Sequence, residues 1–596
     1  MPSINKLYKI RHSLAHLLAL AVFQEDSEVK FGIGPVIENG FFYDFILTKD
    51  VDLNKLEAKI KELIKANLPF KGKKVSFNEA RKIFKNQPFK LELIDDIEKY
   101  GTTDFETIQK IKAGKLKPKK VSNVTIYQVG EFIDLCRGGH VKRTSEINSE
   151  AFKLFKIAGA YWRGEEKNPQ MTRIYGLAFL TKKDLENYLF WLQEAQKRDH
   201  RKLGEELKLF KIIDDIGPGL PLFYPKGTIL RRLVENFIIE LQEKFGYEPI
   251  WIPHLTRRKL YEISGHIEKY DALFPPIKID TEEYYLKPMN CPHFMMLYKS
   301  QPRSYRELPL RWTCTTTVYR YEKSGELSGL TRVRALTQDD CHIFARYDQI
   351  EQEIDLILKM IKIVYRVFNF DNYWARISVH NPAEKEKYIG DPSIWKKSEK
   401  ILKDLVKSHK LEFKIGLGEA AFYGPKIDFM FKDALQREWQ LSTIQLDMNL
   451  PQRFELKYKD KDGKEKTPIV IHRAILGSTE RFLGILIEHF AGDFPFWLAP
   501  LQIAILPISQ KHEKYSQKIN LILKENNFRT KIFLPEENLS KRIFEAEKEK
   551  IPFIIVIGDK EKKENLITVR DRKQRTQKTF SIENFIAYLH QLKPKI

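Results

Sequence analysis

The segment 318–340, VYRYEKSGELSGLTRVRALTQDD, limits the possible folds and functions of the chain more than any other stretch. Arg320 and Glu322 are two residues apart, so on a β-strand both side chains would point to one face. A guanidinium group can neutralise a phosphate through two hydrogen bonds, and a carboxylate beside it can accept from an exocyclic amine. Arg332 repeats this chemistry after a glycine-containing loop. The pattern predicts a nucleotide-binding strand. For an isolated Arg-x-Glu, however, a row of ion pairs on the protein surface is the commoner explanation.

Another arginine follows an interruption of the apolar pattern in the segment 471–490, IHRAILGSTERFLGILIEHF. Gly477 and Ser478 mark the break, and Arg481 then enters a predicted helix among apolar side chains. Burying an arginine is costly without an anionic partner, and a phosphate group would serve as that partner. The alternative is an arginine whose stem packs on apolar side chains while its head group reaches water.

The charge balance favours a polyanionic partner. Lys and Arg number 102 against 80 for Asp and Glu, a net charge of +22, which a basic proteome could also produce. No apolar run approaches the roughly 18–20 residues that span a bilayer, so we expect no membrane segment. Four scattered cysteines are too few for a disulfide framework and indicate a reducing, cytoplasmic location.

Length and periodicity predict an α+β multidomain protein. At roughly 150 residues per domain, the 596 residues correspond to about three or four domains. After residue 500, the apolar runs QIAILPI, RTKIFL and FIIVIG alternate with helical patterns at about 513–526 and 538–550, as in a compact α/β domain. We expect the boundaries to be a first domain over 1–180, a connecting helix over 181–206, a large domain over 207–498 and a last domain over 499–596.

Together these motifs resemble those of the class II aminoacyl-tRNA synthetases. The predicted helix 229–245 with the strand 247–253 is similar to motif 1, Arg320 to Glu322 to motif 2, and Gly477 to Arg481 to motif 3. The match narrows to the threonyl-tRNA synthetases through four strings: KPMNCP (287–292), RVRALTQDDCHIF (332–344), FYGPKIDF (422–429) and IHRAILGSTERF (471–482). The resemblance covers essentially the whole chain and implies an antiparallel-sheet catalytic domain between an N-terminal α+β editing domain and a C-terminal α/β anticodon-binding domain.

The resemblance implies an activity and its partners. ATP, with Mg²⁺, would activate L-threonine, and the threonyl group would pass to the 3′ end of tRNA(Thr). Arg320 would hold the α-phosphate, Glu322 the adenine amino group, and Arg332 and Arg481 the γ-phosphate. Such chemistry consists mostly of positioning and charge neutralisation. Motif 1 implies a homodimer, because its helix and strand pack across the two-fold axis of the family.

The family also binds one catalytic zinc per subunit through a cysteine and two histidines, which by motif match are Cys291, His342 and His472. They are 342 − 291 = 51 and 472 − 342 = 130 residues apart, so no local pattern reveals them, and a buried cysteine with two satisfied histidines is the explanation that the residues alone favour. Three protein ligands would leave zinc open to the amino and hydroxyl groups of threonine, which excludes valine. The resemblance places further residues near the substrates: Met289, Gln338, Asp340, Tyr423, Lys426, Gln440, Gln445 and Ser478, with His266 near the tRNA acceptor end.

Two positions and one segment depart from the family pattern. Phe294 stands where the family usually has a histidine, Leu336 where some members have a phenylalanine against adenine, and WQLSTIQLD (439–447) replaces the common Trp-Gln-Cys-Gly-Thr. These departures leave the three expected zinc ligands intact.

Serine also carries an amino and a hydroxyl group, and one methyl group gives only roughly 1–3 kcal/mol of discrimination, so a second, hydrolytic site is expected. His12 and His16 are four residues apart, as on one helix face, and Cys136 and His140 repeat that spacing. Either pair alone is more typical of ordinary core or surface histidines. With the segments 31–45 and 158–164, the two pairs resemble the editing domain shared by threonyl- and alanyl-tRNA synthetases.

The resemblance implies that this pocket hydrolyses seryl-tRNA(Thr). His12 and Lys90 would activate or orient water, while His16, Asp134, Cys136 and His140 would shape the pocket, with Tyr43 nearby. The four His and Cys side chains could instead bind zinc, but we expect no required metal here. Many family members begin with a ubiquitin-like domain, whereas here the editing pattern begins almost at Met1, so we expect a form without it.

The last domain resembles the anticodon-binding domain of several class II synthetases. Arg570 and Arg572 would share a strand face and read exposed bases, and Glu561 aligns with a base-contacting glutamate. A basic edge strand is the alternative. Two other functions are alternatives to the synthetase activity: a tRNA-binding paralogue without synthetic activity and a stand-alone deacylase. Intact motif arginines and the full catalytic and anticodon regions argue against both.

Overall fold

The computed structural model describes residues 2–114, 116–165, 167–433 and 437–594. The chain divides into two compact units, of which the first ends at Gln193 and the second begins at Glu194. Within the described ranges, every helix is too short or too polar to cross a lipid bilayer.

The first unit packs its long N-terminal helix against an antiparallel sheet. Strands of that sheet run in the order β1-β3-β8-β7, with β2 paired to β3, and a smaller sheet has the order β4-β5-β6. Its helices are α1 (Pro2–Glu25), α2 (Leu53–Lys65), α3 (Phe77–Ile83), α4 (Pro88–Tyr100) and α5 (Phe105–Lys112). Its strands are β1 (Lys30–Phe31), β2 (Val36–Ile37), β3 (Gly40–Ile46), β4 (Lys71–Val75), β5 (Val124–Val129), β6 (Phe132–Leu135), β7 (Phe152–Tyr161) and β8 (Gln170–Ala178).

Two helices occupy the segment that was expected to be one connecting helix. They are α6 (Lys182–Arg198) and α7 (His200–Glu206). Thr181 caps α6, since its Oγ1 accepts from the Asp184 N–H at 3.1 Å. The break falls at Asp199, whose carboxylate accepts the Arg201 N–H at 2.8 Å and so caps the start of α7.

The central region is built on an eight-stranded, mostly antiparallel sheet in the order β11-β15-β16-β23-β20-β19-β17-β18. The helices are α8 (Pro225–Lys244), α9 (Arg258–Ser264), α10 (His266–Lys269), α11 (Cys291–Lys299), α12 (Ile350–Val367), α13 (Pro392–Ser408), α14 (Leu450–Arg453) and α15 (Thr479–His489). The strands are β9 (Phe210–Ile212), β10 (Pro221–Phe223), β11 (Glu248–Pro249), β12 (Leu255–Arg257), β13 (Ile277–Ile279), β14 (Glu282–Leu286), β15 (Leu310–Tyr319), β16 (Ala335–Ala345), β17 (Tyr373–Val379), β18 (Phe413–Leu417), β19 (Lys426–Lys432), β20 (Glu438–Asp447), β21 (Tyr458–Lys459), β22 (Glu465–Lys466) and β23 (Ile469–Ala474).

The predicted motif 1 strand is much shorter than expected. Only Glu248 and Pro249 pair with β15, in parallel, where 247–253 had been predicted. A single further bond, from the Ile250 N–H to the Thr313 carbonyl at 2.9 Å, continues the pairing. The predicted helix is confirmed within the longer α8, whose buried side chains Leu230, Val234, Phe237 and Leu241 recur at helical spacing.

The C-terminal region is a five-stranded mixed sheet in the order β25-β24-β26-β27-β28, covered by helices. The strand pairs β24–β25 and β24–β26 are parallel, whereas β27 pairs antiparallel with both β26 and β28. Its strands are β24 (Ile503–Pro507), β25 (Thr530–Ile532), β26 (Phe553–Ile557), β27 (Ile567–Asp571) and β28 (Gln577–Phe580). Its helices are α16 (Glu513–Glu525), α17 (Leu539–Lys548), α18 (Asp559–Glu564) and α19 (Ile582–Gln591). The predicted alternation of strands and helices is confirmed.

Candidate functional site

Cys291, His342 and His472 meet in the interior of the central region. Their ligand atoms all lie within 4.8 Å of one another, and all three side chains are buried. The register of the sheet produces this meeting, because His342 on β16 stands directly opposite His472 on β23. Cys291, the first residue of α11, joins them from outside the sheet. One thiol and two imidazoles within this distance match the ligand set of a zinc site.

Most ring nitrogens of this cluster have no hydrogen-bond partner among the described residues, which suits metal ligands. Nε2 of His472 faces Asp447 at 2.8 Å, and its Nδ1 has no hydrogen-bond partner among the described residues. Both ring nitrogens of His342 are likewise buried without a partner in the described part of the chain. Buried polar atoms are normally paired, so a nitrogen on each of these two rings that is unpaired within the described ranges, beside the Cys291 thiol, suits a set of metal ligands.

Electrostatics around the cluster differ between the two histidines. Burial, reinforced by the charge of His472, places the pKa of His342 well below its usual range. Burial alone would lower the pKa of His472, but Cys291 and the hydrogen-bonded Asp447 outweigh it and raise that pKa to about 10. A carboxylate behind a ligating imidazole fixes the tautomer of the ring and orients it toward the metal.

A cleft of about 300 Å³ opens beside the cluster. Cys291 and His472 line it, while His342 is buried next to them. Most of the other predicted substrate residues also line this cleft, which we call the central cleft: Met289, Arg320, Glu322, Arg332, Gln338, Asp340, Tyr423, Lys426, Gln440, Gln445, Ser478 and Arg481. The structure thus brings together side chains that are far apart in sequence, from Met289 to Arg481.

Strand alternation explains one wall of the central cleft. Gln338, Asp340 and His342 are two residues apart along β16 and therefore share a face of the strand. The Asp340 carboxylate accepts from Asn290 Nδ2 at 2.9 Å, and its other oxygen lies 3.8 Å from His342 Nδ1. Burial raises the pKa of Asp340, and the Asn290 hydrogen bond opposes that shift.

A second wall is organised by Asp428, a fully buried carboxylate on β19. It accepts from Lys426 Nζ at 2.8 Å, from Gln440 Nε2 at 2.7 Å and from Thr443 Oγ1 at 2.9 Å. Two of the predicted substrate residues, Lys426 and Gln440, are thereby held in fixed orientations. Asp428 lies inside the family string FYGPKIDF, but its contacts to Lys426, Gln440 and Thr443 form only in the folded sheet and were not predicted.

The prediction that Arg320 and Glu322 share a strand face is wrong. β15 ends at Tyr319, and the Glu322 N–H turns back onto the Arg320 carbonyl at 2.8 Å. Both side chains nevertheless line the central cleft, and the buried Arg320 Nε has no partner among the described residues. Glu322 pairs with Arg332 at 2.8 Å. The strand ends there because the chain must turn into the loop that returns as β16.

Arg481 reaches the same cleft from the first turn of α15. Ser478 caps this helix by accepting the Arg481 N–H at 3.1 Å, and Arg481 Nε donates to the Thr331 carbonyl at 3.0 Å. Burial lowers the pKa of Arg481, and the charges of Arg320 and Arg332 lower it further. Three like charges around one cleft are stabilised by a polyanion.

His266 is fully buried and does not line the central cleft. Its ring lies against Phe422, with 5.2 Å between ring centroids. His266 Nδ1 lies 2.8 Å from Ser264 Oγ, and its Nε2 has no hydrogen-bond partner among the described residues. Burial, followed by the nearby charge of Arg320, lowers the pKa of His266 to about 3.

His12, His16, Cys136 and His140 form a second cluster, in the first unit, with ligand atoms within 4.8 Å of one another. His12 and His16 lie on α1, and the other two follow β6. Cys136 Sγ lies 3.2 Å from His140 Nε2 and 3.5 Å from His12 Nε2. Burial lowers the pKa of His140 to about 2 and raises that of Cys136 to about 12.

A buried ion pair stands beside this second cluster. Lys90 Nζ lies 2.5 Å from Asp134 Oδ1, and the Tyr43 hydroxyl donates to Asp134 Oδ2 at 2.6 Å. A pocket of about 870 Å³, which we call the N-terminal pocket, is lined by five of the seven predicted editing residues: His12, His16, Lys90, Asp134 and Cys136. Tyr43 and His140 support the pocket from behind, since neither lines it.

In the C-terminal region, the prediction that Arg570 and Arg572 share a strand face is wrong. β27 ends at Asp571, and Arg572 turns away to form an ion pair with Asp493. Arg570 stays on the strand, half-exposed, and pairs with Glu547 at 2.8 Å. Glu561 accepts from Thr568 Oγ1 at 2.7 Å. The strand stops because the tight turn to β28 begins at Asp571.

Comparisons with known proteins agree with this arrangement. Three family profiles match: "tRNA synthetase class II core domain (G, H, P, S and T)" at residues 276–490, "Anticodon binding domain" at 502–592, and "Threonyl and Alanyl tRNA synthetase second additional domain" at 124–175. A curated "Threonine--tRNA ligase" from Rubrobacter xylanophilus is 44% identical over 578 residues, which are 96% of this chain and 86% of that protein. The chain belongs to the threonine–tRNA ligase family.

Further relatives support membership in the threonine–tRNA ligase family. A protein of the same name from Thermotoga petrophila is 46% identical over 97% of this chain and 87% of its own length. A solved structure titled the RNA binding domain of threonyl-tRNA synthetase from Cryptosporidium parvum is 33% identical, with a TM-score of 0.64 over 67% of this chain and 99% of that one. The predicted family and fold class are confirmed, and the roles of individual site residues stay predictions.

Four residues that sequence analysis missed hold the central cleft of this threonine–tRNA ligase family member in shape. They are Asn290, Asp428, Asp447 and Arg473. Arg473 is fully buried and pairs with Asp339, whose carboxylate also accepts the Ile475 and Leu476 N–H groups just before the motif 3 glycine. Asn290, Asp428 and Arg473 lie inside the family strings and Asp447 ends the segment WQLSTIQLD, but each acts through side chains that only the folded sheet brings together, so the strings give them no individual role.

Proposed function

We propose that the central cleft activates L-threonine with ATP and transfers it to tRNA(Thr), and that the N-terminal pocket hydrolyses seryl-tRNA(Thr). One observation carries the proposal: a buried Cys-His-His cluster, with an unpaired nitrogen on each ring among the described residues, lies beside a cleft lined by Arg320, Arg332 and Arg481. Since charged tRNA is consumed in translation, we infer that the protein acts in the cytoplasm.

The donor set of the cluster fits zinc. Cys291, His342 and His472 would hold one Zn²⁺ per subunit, and three protein ligands leave room for substrate. When bound, zinc supplies a Lewis acid that accepts both the amino and the hydroxyl group of threonine. Asp340, oriented by Asn290, would receive the ammonium proton or hydrogen-bond the amine, and the nearby Tyr423 would close the pocket around the side chain.

The arginines would hold ATP in the central cleft. Arg320, whose Nε is unpaired among the described residues, would bind the α-phosphate at which the threonine carboxylate attacks. Arg332 and Arg481 would bind the departing pyrophosphate end together with Mg²⁺. Glu322 now pairs with Arg332, and binding of ATP would free this carboxylate to accept from the adenine amino group. Neutralising charge that shifts from the α-phosphate to pyrophosphate would lower the barrier.

Transfer would follow when the tRNA 3′ hydroxyl attacks the threonyl carbonyl and AMP leaves. The buried His266 would act on the terminal ribose through Phe422 and Tyr423, against which its ring packs. Glu561 and Arg570 would contact anticodon bases at the other end of the tRNA. Arg572 is already paired with Asp493, so its predicted base contact would require that ion pair to open.

Hydrolysis in the N-terminal pocket would use water rather than a covalent intermediate. Burial raises the pKa of Cys136 to about 12, so the thiol stays protonated near neutral pH and is a poor nucleophile. Burial lowers the pKa of His12, which therefore stays neutral and can accept a proton from water. Lys90, fixed by Asp134, would stabilise the negative charge that develops on the ester carbonyl oxygen.

Two copies of the chain would associate as a homodimer. The segment similar to motif 1 leaves Trp251, just beyond β11, 79% exposed. An exposed tryptophan is typical of an interface. Light scattering should give twice the chain mass of 70.4 kDa, and Trp251→Glu should shift it toward the monomer.

Pyrophosphate exchange tests the proposal directly. Purified protein should exchange pyrophosphate into ATP with threonine, weakly with serine and not with valine, and should contain about one zinc per chain. Absence of threonine-dependent exchange in zinc-replete protein would rule out the synthetic assignment.

A further inference from the structure

His200 links helix α7 to the segment 328–332 through a contact that no proposed substrate role uses. The histidine is the first residue of α7 and is 3% exposed. Its Nε2 accepts the Leu330 N–H at 3.0 Å, and its Nδ1 lies 2.6 Å from the Glu488 carboxylate. The His200 backbone N–H donates to the same carboxylate oxygen at 3.1 Å. Three elements, α7, α15 and the loop before β16, therefore converge on one imidazole.

The two partners determine the tautomer of the ring. A backbone N–H can only donate, so Nε2 must carry a lone pair toward Leu330. A carboxylate can only accept, so Nδ1 must carry the proton toward Glu488. Although Asp199, His200 and Glu488 lie close enough for a metal, both ring nitrogens are used by these bonds, and Glu488 also pairs with Arg437. The cluster is thus a hydrogen-bonded link and not an open ligand set.

The link continues directly to two of the arginines in the central cleft. Leu330 precedes Thr331, whose carbonyl accepts from Arg481 Nε at 3.0 Å. Arg332 follows Thr331, and its N–H returns to the Ser328 carbonyl at 3.2 Å. A shift of Leu330 would therefore displace the anchor of Arg481 and the backbone of Arg332 together.

Two glycines, Gly329 and Gly484, allow the segment 328–332 to lie close to His200 and to α15. Gly329 has φ +48°, and a Cβ there would lie only 2.2 Å from His200 Nε2. Gly484 on α15 gives room on the other side, since a Cβ at 484 would lie 3.2 Å from the Thr331 methyl group. A side chain at 329 would have to push the loop away from the histidine.

We infer that His200 is a positioning residue that holds the segment 328–332 in the geometry that binds ATP. The inference rests on the proposed ATP-binding role of Arg332 and Arg481. It assigns to the Nε2 lone pair of His200 a task in nucleotide affinity, separate from any contribution of the ring to folding.

Two substitutions separate the bonds of the ring. His200→Gln places an amide near the position of Nε2 and can keep the bond to Leu330, whereas His200→Asn reaches only the Nδ1 position and keeps the bond to Glu488. His200→Asn should raise the KM for ATP in pyrophosphate exchange at least about tenfold, the scale of one lost buried hydrogen bond. His200→Gln should stay within about threefold, and the KM for threonine should change less than about twofold in both.

Equal ATP KM values in the two variants, or equal changes for ATP and threonine, would overturn the inference. Gly329→Ala tests it with His200 intact and should also raise the KM for ATP; an unchanged value would likewise overturn it. Melting temperatures identify loss that comes from folding alone. Arg481→Gln separates the two proposals: if it leaves exchange unchanged, the ATP assignment fails, whereas a defect there with normal His200→Asn refutes only the positioning role.

Discussion

The central cleft and the N-terminal pocket each have a cluster of cysteine and histidine side chains whose ligand atoms lie within 4.8 Å of one another, yet the surroundings of their thiols differ. In the central cluster, three ring nitrogens are unpaired among the described residues. In the N-terminal cluster, Cys136 Sγ lies within hydrogen-bond reach of His12, His140 and the Gly138 N–H. Among the described residues, unpaired ring nitrogens occur in both clusters, at His12 and His16 as well as at His342 and His472, so the difference lies in the thiol: Cys136 Sγ accepts the Gly138 N–H at 3.3 Å.

The neighbouring carboxylates sharpen the contrast. Asp447 stands behind His472, where it orients the ring for a metal. Asp134 in the N-terminal pocket is paired with Lys90, whose ammonium group adds positive charge beside the cluster. Because Lys90 already neutralises this carboxylate, Asp134 adds no net negative charge that would favour a cation, so we expect zinc in the first cluster and catalysis by side chains and water in the second.

The largest expected effect comes from removing the Cys291 thiol of the central cluster, and removal of the Cys136 thiol is the matched control. Cys291→Ala should abolish bound zinc and lower threonine-dependent pyrophosphate exchange by at least about 10³-fold, because Lewis-acid stabilisation of several kcal/mol is lost. The matched Cys136→Ala should keep both zinc content and exchange. Plasma emission spectrometry on the two variants measures the metal. Equal zinc loss in both would show that the two clusters do not differ in the way described.

The next largest effect separates hydrolysis from synthesis. His12→Ala should slow deacylation of seryl-tRNA(Thr) by about 10²-fold or more, the usual contribution of a general base. Pyrophosphate exchange should be unchanged, because the cleft that activates threonine lies in the other unit. Deacylation of preformed, radiolabelled seryl-tRNA(Thr) measures the effect, and clearance at the wild-type rate would contradict the role of His12.

A smaller effect is expected from the carboxylates. Asp447→Asn should weaken zinc binding by about 10–100-fold, the range seen when the partner of a ligating histidine is lost. Asp134→Asn is the control: it should slow deacylation while leaving zinc affinity unchanged. Competition with a chromogenic chelator gives both affinities. If the two variants lose zinc equally, Asp447 has no special part in metal binding.

The smallest effect concerns the C-terminal region, which neither cluster includes. Arg570→Ala should raise the KM for tRNA(Thr) by about tenfold, as expected for the loss of one base contact worth roughly 1–3 kcal/mol, and should spare pyrophosphate exchange. Arg572→Ala should affect thermal stability more than the KM, since its guanidinium pairs with Asp493. Parallel loss of exchange in Arg570→Ala would argue against an anticodon role.

Local patterns predicted the elements where periodicity was strong. The helices α16 and α17 agree with the predicted segments within one or two residues at each end. The same patterns failed at strand ends, for Arg320 with Glu322 and for Arg572. There the next turn, rather than the side-chain alternation, decides where the ladder stops.

The sequence by itself determined the family, the order of the regions and the residue types of both clusters, because the motifs are short and contiguous. Only the tertiary structure decided which nitrogens are free. The pairing of His342 with His472 depends on the register of β16 against β23, and Asp447 reaches His472 only because β20 lies beside β23. Such contacts join residues far apart in the chain, so their geometry is a property of the assembled sheet and leaves no local trace.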